Sequence, residues 1–167
     1  LLLLCLITIL IAYFFLTKEK VVGNTIILGQ SSVQSGTTGK IGRELTSGAN
    51  AYFSYINENG GVFNRKIQLE TMDNFYEPEY SRTNTQYLIK EKNVFAMFGE
   101  FGTPTSLEAL AVAKEYDVPF LVPFTGAQFL RQSDQSLVIN LRNSYYSETE
   151  ALVTYLISQY NSKKFAV

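Results

Sequence analysis

Histidine is absent from the 167 residues, and cysteine occurs once, at Cys5. Without histidine the chain cannot build a Ser/His/Asp triad, a Cys/His nucleophile pair or a His/Cys zinc site. A single cysteine cannot form a disulfide within the chain. The formal net charge of −1 also lacks the basic excess that nucleic-acid binding requires. We therefore predict no catalytic residue, no metal, no cofactor and no nucleic-acid partner.

Two glycine-containing nucleotide motifs fail on inspection. Around Gly39 and Lys40, a P-loop would need a glycine where Gln34 stands and a serine or threonine where Ile41 stands. The dinucleotide pattern G-x-G-x-x-G fails as well, because Gly36, Gly39 and Gly42 are each three residues apart. These mismatches argue against nucleotide binding.

The first residues form a long apolar run. Leu1 to Leu16 contains no charged residue and is a little shorter than the roughly 20 residues of a membrane span. No small-residue cleavage pattern follows it, which favours an uncleaved anchor over a removed signal peptide. A buried core helix is disfavoured, because no polar face interrupts the run. We expect residues 1–17 to be a transmembrane anchor or signal segment that places the rest of the chain across the membrane.

Apolar β-rich runs alternate with helical patterns along the remainder of the chain. The predicted strands are Thr25–Leu28, Lys66–Met72, Val94–Phe98, Val118–Val122, Leu137–Leu141 and a sixth that begins at Lys163–Val167. The predicted helices are Arg43–Asn59, one that opens at Glu77-Pro78, one from Thr103 to Tyr116, and Ser147–Tyr160. This alternation predicts an α/β fold, with a three-layer parallel sheet and helices on both faces, preceded by the apolar membrane-targeting helix.

The stretch from Val94 to Ser106 is the most informative part of the sequence. A buried strand runs into a glycine-broken loop and a helix start, with Thr103 as the predicted N-cap and Pro104 as the first helical residue. Free backbone N–H groups and the helix dipole would favour a carboxylate there, although an ordinary strand-to-helix turn has the same pattern.

Right-handed crossovers should bring three polar loops to one edge of the sheet: Ser31–Gly39, Gly99–Thr105 and Phe124–Ala127. Their hydroxyls and glycines are suited to holding a small polar molecule rather than to transforming it. Asp73 either binds a ligand amine or caps the turn that follows it, and the second is the more common role. Glu100 is expected to be a solvated loop carboxylate.

The ordered set of motifs resembles the amino-terminal lobe of type I periplasmic binding proteins, in the branched-chain amino-acid-binding group, over residues 25–167. The motifs are Ser35-Gly36, Gly48-Ala49, Ile56-Asn57, Asn59-Gly60-Gly61, Asp73-Asn74, Glu77-Pro78, Gly99 before Thr103, Pro123 to Ala127, and Asn140-Leu141-Arg142. The resemblance implies a lobe that closes with a second lobe, absent here, on a ligand. Thr103 then matches the residue that binds the ligand's carboxylate, and Ile41 falls where some members carry an aromatic wall.

Departures from the family pattern are also visible. Pro104 interrupts a loop that often holds several serines, and Phe124 is bulkier than the alanine of some members. With these taken together, the predicted ligand-binding residues are Ser35, Ile41, Phe101, Gly102, Thr103, Thr105, Phe124, Thr125, Gly126 and Tyr145.

The resemblance and the apolar start predict an extracytoplasmic domain at the cell membrane that binds an amino acid or a related small polar ligand. It would serve an ABC transporter and its permease as the solute-binding component, or a membrane receptor with a downstream signalling module as the sensor. The alternative is a membrane-anchored α/β hydrolase-like enzyme whose catalytic partner residues lie beyond this chain. No nucleophile elbow of the form G-x-S-x-G supports that alternative.

Overall fold

The computed structural model describes residues 24–133 and 135–165. In chain order the elements are β1 (Thr25–Ser32), α1 (Gly39–Glu58), β2 (Lys66–Asp73), α2 (Pro78–Lys90), β3 (Ala96–Phe98), α3 (Thr103–Glu115), β4 (Phe120–Leu121), a 3-10 helix (Gln128–Arg131), β5 (Val138–Ile139) and α4 (Tyr145–Tyr160). The predicted anchor or signal at residues 1–17 lies outside the described ranges. Within those ranges, no helix has the length and apolar character needed to cross a bilayer.

The five strands form one parallel sheet in the order β2-β1-β3-β4-β5. The strand order reverses between β1 and β3, because the chain first adds β2 on one side of β1 and then continues on the other. In open α/β sheets, such a switch point leaves a crevice at the carboxyl ends of the strands. The predicted α/β fold with a parallel sheet is confirmed.

Alternating strand residues divide the apolar core between the two faces of the sheet. On one face Ile26, Leu28 and Ala96 pack with Phe53 of α1, and the Phe53 and Phe98 rings meet edge-to-face with centroids 5.2 Å apart. On the other face Met97 and Phe120 pack with residues of α2 and α3, including Leu88 and Leu110. The helices therefore lie on both sides of the sheet, as the pattern predicts.

The first strand extends four residues beyond its predicted end, through a polar segment expected to be a loop. Gln30, Ser31 and Ser32 are all buried in β1. Gln30 and Ser31 have partners there: the Gln30 side-chain amide donates to the Gly99 carbonyl, and the Ser31 N–H donates to the Glu100 carboxyl. Helix α1 also begins four residues early, at Gly39. There Gly42 allows close approach, since a Cβ on it would lie 1.6 Å from the Val33 carbonyl oxygen.

Other boundaries differ for local reasons. The third strand ends at Phe98 because Gly99 has a φ of 66°, and the fourth ends at Leu121 because Val122 has a φ of 55°. The N-cap of α3 is Gly102, with a φ of 97°, rather than the predicted Thr103, whose hydroxyl bonds to another loop instead. The predicted sixth strand does not form at residues 163–165, and its last two residues lie outside the described ranges.

Strand β2 lies at an edge of the sheet, and a side chain covers part of that edge. The Asn57 side-chain amide donates to the Ile67 carbonyl at 2.8 Å, and its oxygen accepts the Ile67 N–H at 2.7 Å. Both backbone groups of Ile67 are thereby satisfied by a residue of α1.

Candidate functional site

Two loops and the start of α4 meet at the carboxyl edge of the sheet. Phe101, after β3, forms an isolated parallel bridge with Phe124, after β4, and the Phe124 N–H donates to the Glu100 carbonyl at 2.6 Å. The Tyr145 N–H, at the first residue of α4, donates to the Gly126 carbonyl at 2.8 Å. A Cβ on Gly126 would lie 2.7 Å from the Tyr145 nitrogen, so this close approach requires glycine.

Three hydroxyl groups, which we call the hydroxyl cluster, meet at this point. Thr125 Oγ1 lies 2.8 Å from Thr103 Oγ1 and 3.2 Å from Tyr145 Oη, and it also accepts the Ala127 N–H at 3.3 Å. Thr125 is fully buried, whereas Thr103 is half-buried and Tyr145 is 44% exposed. The cluster therefore presents Thr103 and Tyr145 towards solvent, with Thr125 joining them from below.

Counting protons shows what the hydroxyl cluster can offer. Three hydroxyls carry three protons, and the two contacts between them use two. Since Ala127 already donates to Thr125, the simplest arrangement is a chain in which one partner donates to Thr125 and Thr125 donates to the other. One proton of Thr103 or Tyr145 then remains for an acceptor at the surface, such as a carboxylate oxygen.

The local electrostatics also favour an anion. Thr103 is the first residue of α3, where backbone N–H groups lack intrahelical partners and the helix dipole is positive. The pKa of Tyr145 is lowered, mainly by its hydrogen bond with Thr125, with further contributions from Gly126, Thr103 and the nearby positive charge of Arg142. The phenol is thus held in a setting that stabilises negative charge.

Aromatic rings form a wall beside the hydroxyl cluster. The Phe101 and Phe124 rings stack with centroids 6.0 Å apart, and the Tyr76 ring lies 5.8 Å from Phe101. Tyr76 has a left-handed backbone with a φ of 64°, held by its N–H bond to the Asn74 side chain. Its ring lies so close to Gly102 that a Cβ there would be 2.4 Å from Tyr76 Cε2.

Arg142 closes the other side of the aromatic wall. Its guanidinium lies 5.4 Å from the centre of the Phe124 ring and 5.1 Å from that of Tyr145, within cation–π range. It also binds the Glu148 carboxylate through two bonds of 2.7 and 2.8 Å, and this hydrogen bonding raises its pKa. The charge of Arg142 is therefore largely balanced by Glu148, which leaves the guanidinium as a fixed planar surface.

An apolar cavity of about 410 Å³ adjoins this wall on the α1 side of the sheet. It shares Phe124 with the wall and is bounded by Leu45, Phe98, Val122 and Leu141, with Gln30 among its polar residues. Its size is typical of a pocket for a small molecule.

Glu100 is the clearest departure from expectation at this edge. It was expected to be solvated, but only 1% of its surface is exposed. One oxygen accepts the Ser31 N–H at 2.9 Å, and among the described residues the other has no hydrogen-bond partner. Burial raises the pKa of this carboxyl well above its usual value, and the Ser31 bond only partly opposes the shift. Glu100 therefore lies beneath the loop rather than in contact with solvent.

The other predicted ligand residues take different positions. Thr105 is fully buried and donates its hydroxyl to the Phe101 carbonyl, so in this structure it supports the loop. Ser35 lies against Asp73, and Ile41 lies in the first turn of α1 with 44% of its surface exposed. Asp73 accepts the N–H groups of Gln34 and Phe75 at 2.9 Å, the capping role that its sequence position indicates.

Sequence reasoning missed Tyr76 and Arg142 as residues of this edge. The Asp73-Asn74 pair could have indicated Tyr76, because Asn side chains commonly hold the N–H two residues on in a turn. Nothing local in the sequence indicated that Arg142 would stack on two rings, since this contact joins separate loops. The geometry also gives no support to the hydrolase alternative, because Thr103 and Thr125 bond to each other rather than to a base.

Comparisons with known proteins agree with the α/β fold. The family model described as "Periplasmic binding protein" matches residues 25–167. A possible leucine/isoleucine/valine-binding protein from Rhodopirellula baltica superposes with a TM-score of 0.76 and 32% identity, over 82% of this chain and 37% of that one. A substrate-binding periplasmic protein from Ralstonia solanacearum gives 0.73 and 31%, over 80% and 38%.

A solute binding protein of an ABC transporter from R. palustris, solved with benzoate, gives a TM-score of 0.72 at 20% identity, over 80% and 37% of the two chains. At that identity the likeness shows the fold alone. The chain thus spans a little over a third of the length of these solved proteins. A search of curated proteins gave no match.

Proposed function

The chain belongs to the periplasmic binding protein family, and from that premise we propose that it is the amino-terminal lobe of an extracytoplasmic protein that binds a small carboxylate, such as an amino acid. The observation that carries the proposal is the hydroxyl cluster at the first residue of α3. Hydroxyl and backbone donors converge there at the carboxyl ends of β3 and β4, beside the switch point between β1 and β3. Open α/β sheets bind their ligands at this edge.

A carboxylate is the ligand group that these contacts suit. The cluster can donate a hydrogen bond, and the N-terminus of α3 adds partial positive charge. The Glu100 carboxyl is buried beneath the loop and does not face the ligand side. The amino acids named for the Rhodopirellula relative carry a carboxylate. The aromatic wall and the apolar cavity would then receive the remainder of the ligand.

The biological setting follows from the family and from the sequence. We infer that residues 1–17 attach the protein to the membrane or direct its export, and that the lobe lies outside the cytoplasm. Its partner would be an ABC permease, as expected for a transport component, or a downstream signalling module, as expected for a receptor. A second lobe would close over the edge that bears the hydroxyl cluster.

Isothermal calorimetry on the full-length protein tests the proposal with L-leucine, L-isoleucine, L-phenylalanine and benzoate. Replacing Thr103 by valine should weaken binding by about tenfold or more, since a hydrogen bond to a charged group contributes about 1.5–3 kcal/mol. Thr83→Val is the matched control, because Thr83 is an exposed threonine on α2 whose hydroxyl bonds within its own helix. Failure to bind any small carboxylate, or equal affinities for the two variants, would contradict the proposal.

A further inference from the structure

Arg131 lies at the end of the 3-10 helix, whose backbone is firmly anchored. The neighbouring Leu130 is only 1% exposed and belongs to the apolar core. The Leu130 carbonyl accepts the Asn140 side-chain amide at 2.8 Å, which ties the short helix to the end of β5. With its backbone fixed in this way, Arg131 extends back towards the loops at the carboxyl edge of the sheet.

The guanidinium of Arg131 contacts four backbone carbonyls. Nη1 donates to the Ala127 carbonyl at 2.8 Å, and Nη2 lies 3.5 Å from the Thr125 carbonyl, both in the loop after β4. Nη2 also donates to the carbonyls of Arg142, at 2.6 Å, and Asn143, at 3.1 Å, in the segment that enters α4. One side chain thus bridges the two segments. A planar fork with several donors can do this, whereas a lysine ammonium is a single point charge.

The Arg131 guanidinium is held by carbonyl oxygens rather than by a carboxylate. Burial lowers its pKa, an effect opposed by the negative charge of Glu148 and reinforced by the positive charge of Arg142. Glu148 is already bound by two bonds to Arg142, so carbonyl oxygens supply the direct contacts of Arg131. Burying part of a guanidinium costs free energy of desolvation, which the hydrogen bonds to the carbonyls offset.

The two bridged segments are the ones that carry the hydroxyl cluster. Thr125 lies in the loop after β4 and Tyr145 opens α4, with their oxygens 3.2 Å apart. Among the residues that the structure describes, the bond from the Tyr145 N–H to the Gly126 carbonyl is the only backbone hydrogen bond between these two segments. The four contacts of Arg131 therefore supply most of the polar connection. We propose that Arg131 is a positioning residue that sets the geometry of Thr125 and Tyr145 for ligand binding. This inference rests on the proposed function of the cluster.

Amide hydrogen exchange at Tyr145, followed by NMR in the ligand-free full-length protein, tests the positioning directly. Arg131→Met should make this amide exchange about tenfold faster or more, since charge-assisted bonds are lost, and Arg131→Lys should fall between it and the wild type. Lys40→Met, at an exposed position on α1, is the control for loss of a positive charge and should change nothing. Unchanged Tyr145 exchange in both Arg131 variants would overturn the inference.

A double-mutant cycle then separates positioning from a general structural role. Arg131→Met should weaken binding of L-leucine or benzoate about tenfold, but should have much less effect once Tyr145 is replaced by phenylalanine, because both changes disturb the same contact. Fully additive effects would overturn the inference. If the wild type binds neither probe but Tyr145 exchange is still accelerated in Arg131→Met, the proposed ligand is refuted while the positioning role of Arg131 is supported.

Discussion

Replacing Glu100 by glutamine gives the sharpest test of the electrostatics at this edge. Glu100 is almost fully buried, has a single hydrogen bond from the Ser31 N–H at 2.9 Å, and has a pKa raised well above its ordinary value of 4.5 by burial. Glutamine has nearly the same shape and keeps an oxygen to accept the Ser31 N–H. The substitution therefore removes the titration while leaving the packing and the hydrogen bond in place.

The sign and size of the effect follow from proton linkage. Because the folded state holds the Glu100 proton more tightly than the unfolded state, the free energy of unfolding falls as pH rises above about 4.5 and stops falling at the raised folded pKa. One proton corresponds to a slope of about 1.4 kcal/mol per pH unit within that window. The Glu100→Gln variant lacks this slope, so we expect it to gain stability relative to the wild type as pH is raised.

Urea denaturation of the full-length protein at a series of pH values from about 4.5 upward measures the slope difference. Glu150→Gln is the control, since it makes the same chemical substitution at an exposed glutamate. Parallel pH profiles for the wild type and Glu100→Gln, with no relative gain at higher pH, would refute the reasoning that burial raises the pKa of Glu100.

Two further predictions concern glycine and Asp73. Gly126→Ala should cost about 1–3 kcal/mol of stability in chemical denaturation, because its Cβ would lie 2.7 Å from the Tyr145 backbone nitrogen. Gly48→Ala, in the exposed middle of α1 with no atom within 4 Å of the new Cβ, should instead stabilise by roughly 0.5–1 kcal/mol. Asp73→Asn should destabilise at neutral pH, and its deficit against the wild type should shrink as pH falls. Burial alone would raise the Asp73 pKa, but hydrogen bonds from Ser35, Gln34 and Phe75 lower it below its ordinary value of 3.8. The stability that the Asp73 carboxylate contributes is therefore present above about pH 3.8 and is lost as pH falls through the folded-state pKa. Equal costs for both glycine variants, or a pH-independent Asp73→Asn deficit, would count against these assignments.

The sequence predicted the α/β order and the parallel sheet because apolar periodicity and crossover rules act over short stretches of chain. It failed at the end of β1, where the polarity of Gln30, Ser31 and Ser32 indicated a loop. Gln30 and Ser31 are bonded to Gly99 and Glu100, which lie about 70 residues further along the chain. Single-sequence patterns cannot show such pairing, and the same limit explains why the burial of Glu100 was missed.

At the candidate site, the sequence predicted features that depend on a single loop, but it did not predict the contacts between residues of different loops. Thr103 was placed at the start of α3, but the partner of its hydroxyl, Thr125, became visible only in the structure. The stacking of Arg142 on Phe124 and Tyr145 likewise joins residues whose proximity depends on the path of the chain after β5. The role of each predicted residue in ligand contact stays a prediction.

The amide of Asn57 has a consequence for how this protein behaves at high concentration. By occupying the outward N–H and C=O of Ile67, it takes the place that a foreign strand would need in order to add to β2. Recruitment of another molecule through this border of the sheet would first require that amide to be displaced. The Asn57 side chain thereby disfavours self-association through β2. Ile67 lies at the amino end of its strand, whereas the hydroxyl cluster that we propose for ligand recognition lies beyond the carboxyl ends of the strands.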